Sequence, residues 1–258
     1  KAQQRAAGLA LAAKRGEADP ADLQPASRQM FDSMTEQELE DLAGELDGAP
    51  AEAVLDWAAA EFGERFAVAT SMQDAVLTHL ASRSLPGVDV LFLDTGYHFE
   101  ETLQTRDAVA STYDVTLRTL EPSQSVAQQD ATYGANLFER DPDLCCTLRK
   151  THPLDEALDG YEAWATGVRR SEAITRRDTP VVSFDERRER IKVAPIVAWS
   201  DADVEAYIAE HAIVTNPLLT QGYPSIGCAT CTRRVAPGED ARAGRWAGRD
   251  KVECGINT

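Results

Sequence analysis

The chain has 258 residues, of which 43% are hydrophobic, enough for one large domain with an ample core. No run of about 18 apolar residues occurs, so we expect no membrane-spanning helix. The formal net charge of −17 argues against binding to a long nucleic acid. No secretory signal pattern is present, and we expect a cytoplasmic protein whose cysteines are ligands or reactive thiols rather than disulfides.

The charge is unevenly divided along the chain. Residues 1–144 carry 10 Lys and Arg against 26 Asp and Glu, whereas residues 145–258 carry 16 against 17. Many basic residues of the second half lie close to cysteines in the sequence, as at Arg149-Lys150 and between Arg242 and Lys251. Arg outnumbers Lys 21 to 5, and a guanidinium suits bidentate recognition of phosphate or sulfate. We therefore expect a small anionic ligand near the cysteines.

Residues 1–34 are rich in Ala, Gln and charged residues, and we predict a partly ordered N-terminal extension. Helical spacing of apolar residues follows from Thr35 to Phe62. We predict that residues 35–250 form a single α/β domain and that residues 251–258 form a short mobile tail. The segment from Asn216 onwards is rich in Gly and Pro, which indicates loops.

Short apolar runs alternate with helical segments in the predicted domain. The predicted strands are Phe66–Ala69, Val88–Leu93, Val115–Leu120, Tyr161–Thr166 and Ile191–Val193, and the predicted helices are Ala75–Ala81, residues 98–112 and Asp201–Glu210, the last capped by Ser200 or Asp201. This alternation predicts an α/β fold with a doubly wound, mostly parallel sheet and helices on both faces. Ligands bind at the carboxyl ends of such strands, here Thr70–Asp74 and Asp94–Gly96.

Four of the five cysteines form two pairs, the adjacent Cys145 and Cys146 and the C-x-x-C of Cys228 and Cys231. Four thiolates in two pairs are enough to hold a metal centre, and the spacing leaves zinc and an iron–sulfur cluster both open. If the first pair is helical, Cys146 and Lys150 share a helix face, which would place an ammonium beside the metal-bound sulfurs.

Cys254 is left over on the predicted tail, followed by the flexible Gly255. Lys251 and neighbouring arginines would lower the pKa of its thiol and supply a thiolate. A fixed four-sulfur site with a free terminal thiol indicates a redox or group-transfer enzyme, and we interpret Cys254 as its nucleophile.

Taken together, these motifs resemble those of a known family over residues 66 to the end. The matching segments are Leu93-Asp-Thr-Gly96, Cys145-Cys-x-x-Arg-Lys150, Trp164-x-Thr-Gly-x-Arg-Arg170, Asn216-Pro-Leu218, Gly222-Tyr-Pro-Ser-Ile-Gly-Cys228, Cys231-Thr-Arg233, Arg242-Ala-Gly-Arg-Trp246 and Glu253-Cys-Gly255. The chain is similar to the iron–sulfur assimilatory adenylyl-sulfate reductases that use thioredoxin, above all to those of actinobacteria.

The resemblance implies an adenine-nucleotide alpha-hydrolase-like fold of the ATP-pyrophosphatase type. It implies one 4Fe-4S cluster per chain on Cys145, Cys146, Cys228 and Cys231. It also implies reduction of adenylyl sulfate to sulfite and AMP through a thiosulfonate on Cys254, which thioredoxin or a glutaredoxin-like reductant releases.

Substrate residues are implied in the same way. Lys150, Arg242 and Arg245 match positions that clamp the phosphosulfate, and Arg176 matches another. Thr70, Leu93 and Gly167 match positions that contact the nucleoside, partly through backbone.

The chain departs from the family pattern at two places. Thr70-Ser-Met-Gln-Asp74 replaces the common Ser-Gly-Ala-Glu-Asp of the first loop, which affects nucleotide contact. Asn257 replaces the His that usually ends the tail motif, so any activation of the thiol must come from Lys251 and the arginines.

Three rival interpretations follow from the same residues. The first is a phosphoadenylyl-sulfate reductase, or an enzyme that accepts both nucleotides. The second is a nucleotide-activating sulfur transferase acting on tRNA, which would need an ATP loop and a basic face that this sequence lacks. The third is a non-enzymatic zinc-binding module with an inert Cys254. The sequence pattern carries no signal for an oligomeric state.

Overall fold

A six-stranded sheet forms the centre of the computed structural model, which describes residues 10, 13–16, 19–22 and 46–257. The strands are β1 Phe66–Thr70, β2 Val88–Leu93, β3 Val115–Leu120, β4 Ala163–Thr166, β5 Val182–Asp185 and β6 Arg190–Val193. Their spatial order is β3-β2-β1-β4-β6-β5, and every neighbouring pair is parallel except β5 with β6. The strand order reverses between β1 and β4, and ligands of doubly wound sheets bind at such a point.

Helices cover both faces of the sheet. The described helices are α1 Ala51–Phe62, α2 Val76–Ser84, α3 Glu100–Thr112, α4 Val126–Tyr133, α5 Leu137–Arg140, α6 Pro142–Cys146, α7 His152–Leu158 and α8 Asp201–His211. A π-helical turn, Thr147–Thr151, joins α6 to α7, and short 3₁₀ turns include Arg170–Glu172, Ile174–Arg176, Pro217–Gln221 and Ala229–Cys231. None of these described helices is long and apolar enough to cross a membrane.

Two apolar clusters hold the layers together because successive side chains of a strand point to opposite faces. On one face, Phe66 and Val68 of β1 pack with residues of α1, α2 and α8. On the other face, Ala67 of β1 packs with Leu154 and Leu158 of α7. The predicted α/β class with a mostly parallel sheet and helices on both faces is therefore confirmed.

Most predicted elements are confirmed with small shifts of their ends. The fourth strand begins at Ala163 rather than Tyr161, and α8 is capped by the Ser200 hydroxyl, which accepts from the Asp203 N–H at 3.2 Å. The helix expected from Thr35 is described only from Leu46, and α1 begins after Pro50. Nearly all of the predicted extension, residues 1–34, lies outside the described residues, and the division of the chain into 1–34, 35–250 and 251–258 stays a prediction.

Strand β5 is absent from the elements that the sequence pattern predicts. It is a four-residue strand at the edge of the sheet, all half-buried, and it is the one strand that runs antiparallel to its neighbour. A short edge strand lacks the continuous apolar run of the central strands, so periodicity alone does not reveal it.

Candidate active site

A cavity of about 200 Å³ opens at the carboxyl ends of β1, β2 and β4. Its lining includes every substrate and nucleophile position predicted from the sequence: Thr70, Leu93, Lys150, Gly167, Arg176, Arg242, Arg245 and Cys254. These residues are spread over most of the chain, and the fold brings them to one place at the point where the strand order reverses.

The loop after β1 forms one wall of the cavity and is held in an unusual backbone conformation. Met72 is fully buried at a positive φ of 56°, and its N–H donates to the Thr70 hydroxyl at 3.2 Å. The Asn216 side-chain amide donates to the Met72 carbonyl at 3.3 Å. The Gln73 side chain accepts from the Ile226 N–H at 3.0 Å. The second half of the chain therefore fixes the nucleotide-side loop, a role for Gln73 and Asn216 that the sequence did not predict.

All four paired cysteines line a second, smaller cavity next to the first. Cys145 and Cys146 end helix α6, while Cys228 precedes and Cys231 ends a 3₁₀ turn. None of them forms a disulfide. The Thr95 hydroxyl at the end of β2 lies 3.3 Å from the Cys228 sulfur.

The other three sulfurs lie close enough to Cys145 to affect the ionisation of its thiol. Burial and the neighbouring Cys146, Cys228 and Cys231 raise the pKa of the Cys145 thiol to about 12. Among the described residues, no group of three or more His, Cys, Asp or Glu is placed to hold a single metal ion. The four cysteines contribute four soft sulfur donors to one cavity, a donor type that both zinc sites and iron–sulfur clusters use.

Lys150 lies between the two cavities and lines both. The Asp141 carboxylate caps α6 through the Leu144 N–H at 2.9 Å, and the π-helical turn that follows carries Lys150 inward. This turn replaces the regular helical spacing expected between Cys146 and Lys150. Burial opposes the charge of the ammonium, but the thiolates of Cys228, Cys254 and Cys146 outweigh it and raise the Lys150 pKa.

Arg245 is fixed against the wall of the cavity. Its Nη1 donates to the Ser225 hydroxyl and to the Ile226 carbonyl, both at 3.2 Å. Its guanidinium also lies over the ring of Trp246, at 4.6 Å from the centroid. Such a preoriented guanidinium is suited to an anion in the cavity.

Arg176 and Arg242, the other two predicted clamp arginines, contact the tail of the chain itself. Arg176 Nε donates to Glu253 Oε1 at 2.8 Å, and its Nη2 donates to Oε2 at 2.7 Å. Arg242 Nη2 donates to the Val252 carbonyl at 2.8 Å and lies 3.4 Å from Glu253 Oε2. Both arginines, for which the family resemblance implies a substrate anion, therefore contact the carboxylate of Glu253 in this structure.

Cys254 is half-buried and faces the cavity. Burial alone would raise the pKa of its thiol, but the Lys150 ammonium, the Ile256 N–H and Arg245 outweigh it, so the pKa is lowered. The sequence assigned this effect to Lys251 and neighbouring arginines: Arg245 contributes to it, whereas the Lys251 ammonium pairs with the Asp143 carboxylate and lies over the Trp246 ring. The cation with the largest effect is Lys150, and its proximity to Cys254 was not predicted because the two residues lie far apart in the sequence.

The described part of the tail contacts the β5–β6 hairpin in this structure, and the mobility of residues 251–258 stays a prediction. Arg188 Nη1 donates to the Ile256 carbonyl at 3.0 Å, and Lys192 Nζ donates to the Asn257 carbonyl at 2.8 Å. Ile256 also packs against the apolar cluster on the α7 face. Arg188 and Lys192 belong to the β5–β6 hairpin, and no sequence pattern marked them because their partners lie more than 60 residues away.

Comparison with protein-family models gives two matches. A model described as the phosphoadenosine phosphosulfate reductase domain matches residues 65–234. A second model, described only as a protein of unknown function, matches residues 1–52.

Among curated proteins, the chain is 63% identical over 213 residues to an adenosine 5′-phosphosulfate reductase of Streptomyces coelicolor, covering 83% of this chain and 90% of that protein. It is 53% identical over 227 residues to the enzyme of the same name from Mycolicibacterium smegmatis, covering 86% of this chain and 96% of that protein.

Among solved structures, a phosphoadenylyl-sulfate reductase from Candida auris superposes with a TM-score of 0.67 at 31% identity, covering 79% of this chain and 98% of that chain. The fold alone is shared with an FMN adenylyltransferase from Candida glabrata, with a TM-score of 0.52 at 10% identity over 90% of this chain and 75% of that chain. The sequence identities and the coverage show that the chain belongs to the adenosine 5′-phosphosulfate reductase family of oxidoreductases.

Proposed function

We propose that this enzyme reduces adenosine 5′-phosphosulfate to sulfite and AMP in assimilatory sulfate reduction. The observation that carries the proposal is the position of Cys254, a thiol with a lowered pKa that faces Lys150 and Arg245 in a cavity at the nucleotide end of the sheet. The names of the relatives from Streptomyces coelicolor and Mycolicibacterium smegmatis support the substrate.

The chemistry begins with attack of the Cys254 thiolate on the sulfur of the sulfate group. A bond forms between the two sulfur atoms, and the bond from that sulfur to the bridging phosphate oxygen breaks. AMP leaves with the bonding electrons, and a thiosulfonate remains on Cys254. The thiolate and the sulfate repel each other, and cations fixed around the cavity offset that repulsion in the transition state.

Lys150, Arg242 and Arg245 are the cations that we assign to the phosphosulfate, and Thr70, Leu93 and Gly167 line the nucleoside side of the cavity. Arg176 can contact the phosphosulfate together with these cations only if the Glu253 carboxylate, to which Arg176 is now bound, moves away.

We assign a 4Fe-4S cluster to Cys145, Cys146, Cys228 and Cys231. The support is chemical: four soft donors line one cavity, none is in a disulfide, and a buried thiol with a pKa of about 12 needs a positive centre to lose its proton. When bound, such a cluster supplies a buried charged centre next to Lys150. We infer that its role is structural and electrostatic rather than electron transfer, and bleaching of the cluster on adding substrate, followed by absorbance or Mössbauer spectroscopy, would contradict this.

A thioredoxin, or a glutaredoxin-like protein, completes the turnover. One of its thiolates attacks the Cys254 sulfur, sulfite leaves, and the second thiol of the partner resolves the mixed disulfide, so that its two thiols supply the two electrons. We place the reaction in the cytoplasm, where thioredoxin is kept reduced.

Steady-state release of sulfite with reduced thioredoxin tests the proposal. The wild-type enzyme should release sulfite and AMP in equal amounts from adenosine 5′-phosphosulfate, and Cys254→Ser should release neither. Sulfite release at the wild-type rate by Cys254→Ser would refute the assigned nucleophile.

Phosphoadenylyl sulfate, which carries an extra 3′-phosphate, is the second candidate substrate. The names of the Candida auris enzyme and of the matching domain family favour it. The same assay with each nucleotide decides: a kcat/KM at least about tenfold higher for one of them identifies the substrate, a difference of about 1.4 kcal/mol.

A further inference from the structure

Lys251 connects the segment before the nucleophile to the helix that carries two of the paired cysteines. Its ammonium donates to the carboxylate of Asp143, in the first turn of α6, and lies 5.5 Å from the ring centroid of Trp246. The Lys251 side chain is only 6% exposed, although that of its acidic partner is 77% exposed. A long side chain that is packed this closely has lost most of its rotamer freedom, so it fixes the backbone beside it.

Trp246 is a rigid support for that ammonium. It is 2% exposed, and its N–H donates to the Cys231 carbonyl at 2.9 Å. The Arg249 N–H donates to the Trp246 carbonyl at 2.9 Å, and the Arg249 guanidinium donates to the carbonyl of Phe138, beside the four-cysteine cavity. Residues 246–251 are therefore bound at several points to the part of the fold that carries the cysteines.

The contacts that follow Lys251 are of a different kind, because they occupy arginines of the proposed clamp. Arg176 makes a bidentate contact with the Glu253 carboxylate, and Arg242 donates to the same carboxylate at 3.4 Å. A substrate anion that binds these two arginines has to displace that carboxylate. Neither Lys251 nor Asp143 is among the described residues that line the substrate cavity, so the substrate does not compete for their ion pair.

The chain between these two sets of contacts is free to bend. Val252, which separates Lys251 from Glu253, is 65% exposed. Gly255, which follows the nucleophile, has a positive φ of 79°, a backbone conformation that glycine adopts without strain. A change of backbone angles at Val252 would move Glu253 and Cys254 together and leave Lys251 where it is.

We propose that Lys251 is the pivot of the C-terminal tail. It stays bound to Asp143 and Trp246 while the residues after it move. Movement about this pivot frees the clamp arginines from Glu253 and lets Cys254 reach the sulfur of the sulfate group. The proposal rests on the proposed role of Cys254 as the nucleophile. Lys251 is thus a positioning residue, which acts on the tail without touching the substrate.

A double-mutant cycle in single turnover, on the iron-loaded protein, tests the pivot. The variants are Lys251→Met, Asp143→Asn and both together, and the rate measured is sulfonate transfer to Cys254 at saturating adenosine 5′-phosphosulfate. We expect Lys251→Met to be slower by about tenfold, because it loses both the ion pair and the cation–π contact with Trp246. Asp143→Asn should be slower by no more than about fivefold, because it loses an exposed ion pair alone. The double variant should be no slower than Lys251→Met, since both substitutions remove the same ion pair.

Asp107→Asn is the matched control for the loss of an exposed carboxylate. The Asp107 side chain is 68% exposed on α3 and pairs with the neighbouring Arg106, so this variant should transfer at the wild-type rate. A wild-type transfer rate in Lys251→Met would overturn the proposal. Multiplied losses in the double variant would overturn it as well, because the two residues would then act separately.

Substrate affinity distinguishes a positioning residue from one that binds the substrate. In a Cys254→Ser background, which cannot transfer, Lys251→Met should change the Kd of adenosine 5′-phosphosulfate by less than about threefold. A larger increase of the Kd would overturn the proposal, because Lys251 would then contribute to substrate binding.

Hydrogen exchange in the same background, resolved to single amides, shows whether the pivot stays in place. The Arg249 amide, which is bonded to the Trp246 carbonyl, reports on the segment before Lys251. It should exchange as slowly with adenosine 5′-phosphosulfate bound as without it, and Lys251→Met should raise its exchange rate in both states. Faster exchange of this amide on substrate binding, without the Lys251 substitution, would show that the whole segment moves and would overturn the pivot.

The exchange measurement does not depend on the chemistry. If the Arg249 amide behaves as expected but wild-type protein never forms an adduct on Cys254, the proposed function fails while the anchored segment stands.

Discussion

The guanidinium of Arg245 occupies the space that a side chain at Gly227 would need. A Cβ atom built on Gly227 would lie 2.5 Å from Nη2 and 2.6 Å from Cζ of Arg245. The two residues come from separate loops, and the absence of a side chain at one lets the cation of the other reach the cavity wall. Gly227 has no positive φ, so the requirement is one of space rather than of backbone conformation.

Gly227→Ala should therefore displace Arg245 without straining the backbone. We expect kcat/KM for adenosine 5′-phosphosulfate to fall by between about tenfold and about a hundredfold, since a fixed cation of the clamp is moved. Gly48→Ala is the matched control, because a Cβ there meets nothing within 4 Å. Equal activity of both variants would show that Arg245 does not need this position.

Asn216→Ala should loosen the loop after β1. The substitution removes the donor to the Met72 carbonyl and to the Thr102 hydroxyl, and the acceptor for the Leu218 N–H. Leaving buried partners unsatisfied costs about 1–3 kcal/mol, so we expect a lower Tm and weaker binding of AMP. Calorimetric titration with AMP measures the second effect, and unchanged AMP affinity would argue that the loop does not contact the nucleotide.

Docking of the tail should weaken in acid. Burial would raise the pKa of Glu253, but its hydrogen bonds and charge interaction with Arg176 outweigh this and lower it. A carboxyl whose pKa is lowered on docking stabilises the docked state fully above its undocked pKa of about 4.3. That stabilisation disappears as the pH falls through the lower, docked value.

Exchange of the C-terminal peptide, corrected for the intrinsic effect of pH, should accordingly stay slow at about pH 5 and rise at lower pH. Glu253→Gln should lack this transition because its side chain does not ionise. Release of the wild-type tail between about pH 5 and about pH 7 would contradict the lowered pKa.

Substitution of the four paired cysteines by Ser should abolish iron binding, whereas Cys254→Ser should retain it. The wild-type protein should be brown and absorb at about 400 nm. Iron and zinc analysis of the purified variants provides the measurement. A colourless wild-type protein containing one zinc ion would refute the cluster and favour a zinc site.

The central sheet was predictable because its strands are apolar runs separated by turns. Val88–Leu93 illustrates this: it is nearly all apolar because both faces of a central parallel strand are covered. The edge strand β5 has no such run, and its place depends on pairing with β6. Local pattern therefore identified five strands, including the edge strand β3, and missed the other edge strand, β5.

The site shows the same division between local motif and distant contact. The cysteine pairs and the family motifs indicated which residues meet in the cavity, including Lys150 and Arg245. They did not indicate that Glu253 binds Arg176, 77 residues away, or that Lys251 forms an ion pair with Asp143. Such pairings are chosen by the folded geometry among many acidic and basic residues, and the sequence offers no rule for the choice.

The most direct test of the account is peptide mass spectrometry of the iron-loaded protein after mixing with adenosine 5′-phosphosulfate in the absence of reductant. We predict a sulfonate adduct on the peptide that contains Cys254, formed together with one AMP and removed by reduced thioredoxin with release of sulfite. An unmodified Cys254 peptide, from protein that retains its iron and binds AMP, would contradict the central claim that this thiol is the nucleophile.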